Sequence, residues 1–486
     1  MASKEAESYW NLPPKDENNE DLGSEFTELK KAIIAQFGRE HIRANWLQVT
    51  RLLVEENNRI AEARSRAWPE VEFADIAAGT VSKEQLKAIK HSGIIVIRNV
   101  LPKEQAKGLL TALEAYLEQN KGSILCEYDS QTSCQYVEDN LMIAYPEENP
   151  WAYRTFFSPV QNTVRSHPNS LKAQHFLNNL WTGYTDSNTS SVETSASPFP
   201  LSYADGLRHR RPGGFSATVR PHIDAGSLDR WGDDTYRRYY ERIFGSGDVL
   251  THDPWDVTYR IRAETAKYPG WQQSTVFRAF QGWTSLSHSG GGFNKGALAV
   301  YPSVKLGIAY VLLRPFFRPP VNNPDTLEGE VWEWDDDTPG FPGAFRGQSQ
   351  QLSPSTHPHL ELSRTLTVTP QIRPGDAVFW HSDVVHAVDP LLDDNGGESA
   401  TVLYIPAVPL TQTNLRYIKE QRDAILHRGE TPPDFARQQK TYEEGLVGWH
   451  GVSDVANVEA QQALGLAKLP GESALFEWAN DILGHA

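Results

Sequence analysis

The chain has 486 residues, 39% of them hydrophobic, 10% aromatic and 22% charged, the make-up of a folded protein with a sizeable core rather than a disordered one. Acidic residues outnumber basic ones, 62 to 46, for a formal net charge of -16, which argues against nucleic acid or an anionic membrane surface as the main partner. Two cysteines, Cys126 and Cys134, are too few for a disulfide framework or a thiolate zinc cluster. Met1 to Glu7 lacks the apolar core of a secretory signal and no run of about 18 apolar residues suggests a membrane span, so a cytoplasmic location without a membrane partner is expected.

In chain order, residues 1–24 read as a polar leader. Leu29, Ile33, Ile34, Phe37, Ile42, Trp46, Leu47, Leu52 and Leu53 then recur at helical spacing, which predicts two amphipathic helices between Glu25 and Ala67. Ser82-Lys83-Glu84-Gln85 has the capping-box pattern and opens a helix ending near Gly93. The β-branched run Ile94 to Ile97 predicts a strand, and Pro102 starts a helix that carries Leu109, Leu110, Leu113 and Leu117. A helix is expected from about Pro150 to Trp181 and a Ser/Thr-rich surface loop over Asp186 to Ser197. Arg208, Arg210 and Arg211 follow in a charged stretch; their guanidinium forks suit either a carboxylate ligand or a pairing with Asp205 that holds a loop.

After an aromatic and charged insertion over about 228–270, strands are expected at Thr275 to Phe280, Gly296 to Tyr301, Gly307 to Leu313, Leu366 to Pro370, Asp376 to Trp380 and Ala400 to Pro406. The glycine-rich stretch His288 to Gly296 lacks the Gly-Lys-Ser/Thr ending of a phosphate loop and reads as a turn. Residues 319–358 are proline-rich, with Asp335 to Asp337 as a solvated acidic run. Helices are expected at Asn414 to His427 and Glu472 to Leu483. Strands dominate 215–406 and helices flank them without regular alternation. That predicts a mainly β core with flanking helices, an α+β chain built on a double-stranded β-helix of the jelly-roll or cupin-like kind. The organisation expected is a leader (1–24), a mostly helical region (25–200), the β-helix core (201–410) and a helical extension (411–486), in one compact domain.

His222-Ile223-Asp224 is the stretch that carries chemistry. On an extended strand an imidazole and a carboxylate two residues apart point to one face, and with a distant histidine they make the 2-His-1-carboxylate triad that holds iron(II) and leaves coordination positions open. The chain has a second copy, His381-Ser382-Asp383. If that copy held the metal, a third histidine should lie downstream on a strand, but His427, His450 and His485 fall in helical or loop sequence. The order therefore selects His222 and Asp224, with His386 as the third ligand and His381 as a structural or supporting residue. No His-Glu-x-x-His pattern occurs.

Gly93-Ile94-Ile95-Val96-Ile97-Arg98-Asn99-Val100-Leu101-Pro102 resembles the lead-in of phytanoyl-CoA-hydroxylase-like oxygenases. Pro374-Gly375-Asp376 through Trp380 to His386 resembles the stretch that supplies the distal metal histidine in iron(II)/2-oxoglutarate oxygenases. Arg220 to Ser227, Leu313-Arg314-Pro315-Phe316, His381 to His386 and Tyr404-Ile405-Pro406-Ala407 are similar to a microbial YbiU-like group. The resemblance implies iron(II), with 2-oxoglutarate and O2 as cosubstrates, and oxidation of an unactivated C–H bond by hydroxylation, desaturation or ring closure. A small carboxylate-bearing substrate, an amino acid such as valine for example, would suit the arginine-rich approach. The family's arginine on the strand after the distal histidine is missing, since no Arg or Lys lies between His386 and Pro409. Ser399 and Thr401 stand in its place, and either another cation takes the role or the cosubstrate differs. Arg278 is the first candidate, with Gln281 and Trp283 on the strand it enters as further contacts and Lys305 and Arg314 behind it. Two other readings stay open: a cupin-type isomerase or hydrolase using zinc or manganese, and a non-catalytic binding module. Oligomeric state is not legible.

Overall fold

The amino-terminal apolar stripe folds as two helices, α1 (Ser24–Phe37) and α2 (Arg39–Ala63). Gly38 separates them at φ 91°, a left-handed conformation open chiefly to glycine. Phe26, Ile33, Ile42, Trp46, Val49, Leu53 and Ile60 are buried in one cluster. Trp46 stacks on Phe317 with ring centroids 4.4 Å apart and donates Nε1–H to the Gly329 carbonyl at 3.0 Å. The chain is described here by a computed structural model over residues 22–124, 152–185, 191–212, 220–270, 273–293, 295–389, 397–437 and 439–485. Most of the polar leader, Cys126, Cys134, the start of the Ser/Thr-rich loop and residues 390–396 lie outside the described residues.

Ser82 and Gln85 form the reciprocal capping box at the start of α3 (Lys83–Ser92), and α4 (Lys103–Gln119) follows Pro102. Seven strands make the larger sheet: β1 (Glu70–Glu72), β2 (Ile94–Arg98), β3 (Ala152–Tyr153), β4 (Leu207–Arg210), β6 (Phe280–Ser285), β10 (Ala377–His381) and β12 (Ala400–Tyr404). Their order is β1-β2-β10-β6-β12-β4-β3. The smaller sheet runs β8 (Gln350–Gln351), β5 (His222–Ile223), β11 (His386–Val388), β7 (Leu298–Val300), β9 (Thr367–Val368). Every neighbour pair in the two sheets is antiparallel except β1 with β2.

The expected jelly-roll, or cupin-like, double-stranded β-helix is corrected by this arrangement. Helix outweighs strand, both sheets are open, and neither closes into a barrel or curls on itself. Several segments read as strand are otherwise. Gly307 to Leu313 belongs to the helix α5 (Val304–Leu313), buried throughout except at Lys305; a continuous apolar run of that length suits a buried helix as well as a buried strand, and periodicity does not separate them. Thr275 to Ala279 is loop, with strand beginning only at Phe280. The helix expected over 150–181 is broken into Pro159–Arg165 and Pro168–Asn178, each begun by a proline. In the tail, α6 (Gln412–Leu426) and α7 (Ala474–Leu483) form. Two large apolar clusters result: α1, α2 and α5 pack on one face of the smaller sheet, and β2, β6 and β10 lie at the heart of the other.

Candidate metal centre

The smaller sheet brings the two histidines together. His222 of β5 pairs directly with His386 of β11, and their ring centroids lie 4.0 Å apart. Ile223 and Ala387 are buried in the helix-side cluster, so the pleat sends His222 and His386 out of the opposite face. Asp224 follows on that same face and the chain then turns sharply, with Ala225 at φ 61° and Gly226 at φ 94°. Buried Arg230 holds the turn, donating to the carbonyls of Asp224 at 2.5 Å and Gly226 at 2.7 Å, while the Tyr236 hydroxyl donates to the Ala225 carbonyl at 2.8 Å. A non-glycine residue in the left-handed region costs about 1 kcal/mol, and these bonds offset it.

One ligand atom from each of His222, Asp224 and His386 lies within 4.8 Å of the others. Nε2 of His222 is 3.6 Å from Asp224 Oδ1, and Nε2 of His386 is 3.5 Å from Oδ2. The Nδ1 atoms face the backbone carbonyls of Arg220, at 2.8 Å, and Val384, at 3.0 Å. A carbonyl only accepts, so each Nδ1 carries the proton and each Nε2 presents its lone pair inward. Burial opposes the charge on Asp224, yet His222 and His386 hold its carboxyl well below the usual range. For His222 burial works against protonation and Asp224 outweighs it, raising the imidazole, whereas burial and the neighbouring His222 lower His386. Asp224 is further fixed by Gln281 Nε2, which donates to Oδ2 at 2.6 Å, and Ser349 Oγ, which donates to Oδ1 at 2.7 Å. Gln281 Oε1 is buried without a partner among the described residues. Two imidazole lone pairs, one carboxylate and an unused acceptor beside them fit a divalent metal of the iron(II) type.

The cluster opens into a cavity of about 300 Å³ between the two sheets. Arg208, Arg210, Gln281, Trp283, Trp380, Ala400, Val402 and Tyr404 line it from the larger sheet, Leu298 and Val388 from the smaller. Arg278 also lines it, from the loop before β6 rather than from a strand. Ser399 and Thr401, by contrast, are not among its lining residues. On β12 the pleat turns Ala400, Val402 and Tyr404 to the cavity and Thr401 the other way, where its hydroxyl meets His209 Nδ1 at 2.9 Å. Lys305 donates to the Leu250 carbonyl, and buried Arg314 to those of Thr356 and Phe317; neither lines the cavity.

His381-Ser382-Asp383 has a different environment. Asp383 and Arg260 form a fully buried ion pair at 3.1 Å, and the Tyr240 hydroxyl donates to the same Asp383 oxygen at 3.0 Å. The His381 ring stacks on Trp181 at 4.7 Å, its Nε2 bonding the Pro254 carbonyl and its Nδ1 accepting from the Asp383 amide. Burial lowers this imidazole to about 4. The sequence does not point to Ser349 or Arg230: Ser349 lies in the proline-rich stretch, where nothing marks its approach to Asp224, and Arg230 reads simply as one of several arginines in an insertion.

A partly buried 2-His-1-carboxylate cluster that opens into this cavity defines the chain as a metal-dependent oxidoreductase. It belongs to the Gig2-like family, whose sequence profile matches residues 20–466. The chain is similar to YbiU of Escherichia coli (strain K12), with 32% identity over 442 residues, 90% of this chain and 95% of YbiU. Its fold is similar to the crystal structure of GlcNAc Inducible Gene 2, GIG2 (DUF1479), of Candida albicans, with TM-score 0.79 and 24% identity over 97% of this chain and 96% of that one. The Escherichia coli protein JW0805 superposes with TM-score 0.70 and 30% identity over 94% of this chain and 98% of its own. No helix among the described residues is long and apolar enough to cross a membrane.

Proposed function

We propose that this chain is a non-haem iron(II) oxygenase. It uses 2-oxoglutarate and O2 to oxidise an unactivated C–H bond of a small, polar, carboxylate-bearing metabolite, an amino acid such as valine being one example of the class. The observation that carries this reading is the convergence of two Nε2 lone pairs and the Asp224 carboxylate on one point of the cavity floor. His222, Asp224 and His386 would hold the iron, which with its cosubstrates supplies oxidising power that no side chain has.

The chain's own residues bind, orient and exclude water. Gln281 and Ser349 fix the Asp224 carboxylate in one orientation, and the two backbone carbonyls fix the imidazoles. Trp283, Trp380, Leu298 and Val402 supply apolar wall, which keeps water from the reacting carbon. Arg278 lines the same cavity and offers a guanidinium fork to a carboxylate of the bound acids.

Purified protein supplied with iron(II), 2-oxoglutarate and O2 is expected to form succinate and consume oxygen, and His222→Ala and Asp224→Ala are expected to do neither. Full turnover by both variants would overturn the assignment. So would tightly bound zinc with metal-dependent chemistry that consumes no oxygen.

A further inference from the structure

Gln273 lies in the loop before β6, lines the cavity and is 4% exposed. Its Nε2 donates at 2.9 Å to Oδ2 of Asp229, a fully buried carboxyl that does not line the cavity. Both Asp229 oxygens also accept main-chain N–H groups, Oδ2 that of Ser227 and Oδ1 that of Tyr268, each at 2.9 Å. A carboxylate used in this way only accepts, so the Gln273 amide has one orientation: its nitrogen faces Asp229 and its oxygen is left for the cavity side. That oxygen, Oε1, is buried without a partner among the described residues. A buried acceptor with no donor is both costly and uncommon, and this one belongs to an amide bordering the space that a small molecule would fill.

The neighbours of Gln273 turn their donors elsewhere. Ser274 and Tyr203 also line the cavity, but their hydroxyls donate to Oδ2 of Asp434 at 3.0 Å and 2.9 Å, and the Thr275 hydroxyl donates to Oδ1 at 2.9 Å. With those protons committed, the hydroxyls have only lone pairs left to offer. Gln281 is built alike, with Nε2 on Asp224 and Oε1 unpartnered among the described residues. Its anchor is a metal ligand, however, whereas Gln273 is anchored on a residue outside the triad.

We propose that Gln273 is a specificity-determining residue whose Oε1 accepts a hydrogen bond from an amine or hydroxyl group of the substrate. On the function proposed above, on which this inference rests, the substrate is then an amino acid or a hydroxy acid rather than a simple carboxylic acid. A site that bonds an N–H or O–H in this way rejects the analogue lacking it, because the analogue leaves the buried acceptor unpaired.

The test titrates the anaerobic complex of the protein with iron(II) and 2-oxoglutarate, whose visible absorption shows that it has formed. The probes are the common L-amino acids, their 2-hydroxy counterparts and the matching carboxylic acids that have hydrogen at that carbon, with binding followed by calorimetry. Wild type is expected to bind an amino or hydroxy acid roughly 10- to 100-fold more tightly than the matching plain acid, the range of a hydrogen bond involving a charged group. Gln273→Leu is expected to abolish that preference while leaving both the plain acid's affinity and the absorption of the complex unchanged. The unchanged absorption shows that the variant is folded; Gln273→Met serves if Gln273→Leu is not. The proposal is overturned, with the oxygenase reading intact, if the variants keep the preference, if wild type has none, or if no probe binds. If wild type forms no complex with iron(II) and 2-oxoglutarate, the function proposed above fails and this inference fails with it.

Discussion

His222 and His386 present usable lone pairs because each Nδ1–H is committed to a main-chain carbonyl, and those carbonyls, of Arg220 and Val384, lie two residues upstream of each ring. The orientation is thus built into the local chain. Asp224 depends instead on distant partners, Gln281 and Ser349. Ser349→Ala is expected to lower metal affinity 10- to 100-fold, the usual cost of removing a residue that orients a ligand, without unfolding the chain; competition against a chromophoric chelator measures it, and unchanged affinity would remove Ser349 from the site. The local half of this arrangement was readable in the sequence, because His222-x-Asp224 and the order of the histidines are properties of a linear chain. The Ser349 contact was not, since a serine that approaches a carboxylate from 125 residues away leaves no local pattern.

Among the elements, α2 and β12 show where reading from periodicity succeeds and where it stops. The apolar stripe of α2 identified Trp46 as core, and the structure places its ring at 0% exposure against Tyr310 and Phe317. Trp46→Ala should destabilise the fold by about 3–5 kcal/mol, measured by denaturant unfolding; a much smaller loss would show that the helix contributes little to the core. For β12 the sequence identifies a strand but not the face that meets the cavity: Ser399 and Thr401, which stand in the place of the missing arginine, share one face, and only pairing with β4 and β6 decides that Ala400, Val402 and Tyr404 hold the cavity side. The second His-x-Asp copy is likewise explained by what packs on it. Arg260→Leu would strand Asp383 as a buried charge and should cost about 3–5 kcal/mol while leaving the His222 cluster untouched; loss of metal binding with no loss of stability would contradict a structural role.

For the whole molecule, metal binding and folding are linked. A metal that binds the folded chain at 100 times its Kd should raise stability by about 2.7 kcal/mol, seen as a rise in Tm on adding manganese(II) or anaerobic iron(II), and Asp224→Ala should lose that rise. A second dependence, on pH, arises far from the metal. Burial pushes the Glu443 carboxyl up to about 7, although it accepts from the amides of Phe156 and Phe157. The folded chain therefore keeps this proton at a pH where the unfolded chain, with a carboxyl near its ordinary value of 4.5, has released it. The resulting stabilisation is complete below about pH 4.5 and is lost as pH rises to about 7. Glu443→Gln should flatten that part of the stability profile; an unchanged slope would rule Glu443 out as its source.

Read as a linear chain, these residues already carry the helix starts, the amphipathic stripes and the candidate ligands, because capping, periodicity and the two-residue alternation of a strand act over a few neighbours. They do not carry the architecture. The choice of helix for Val304–Leu313, the two open sheets in place of a closed β-helix, the bond from Gln273 to Asp229 and the reach of Ser349 to Asp224 depend on contacts between segments remote in sequence. Burial and strand pairing decide those contacts, and both exist only once the chain has folded.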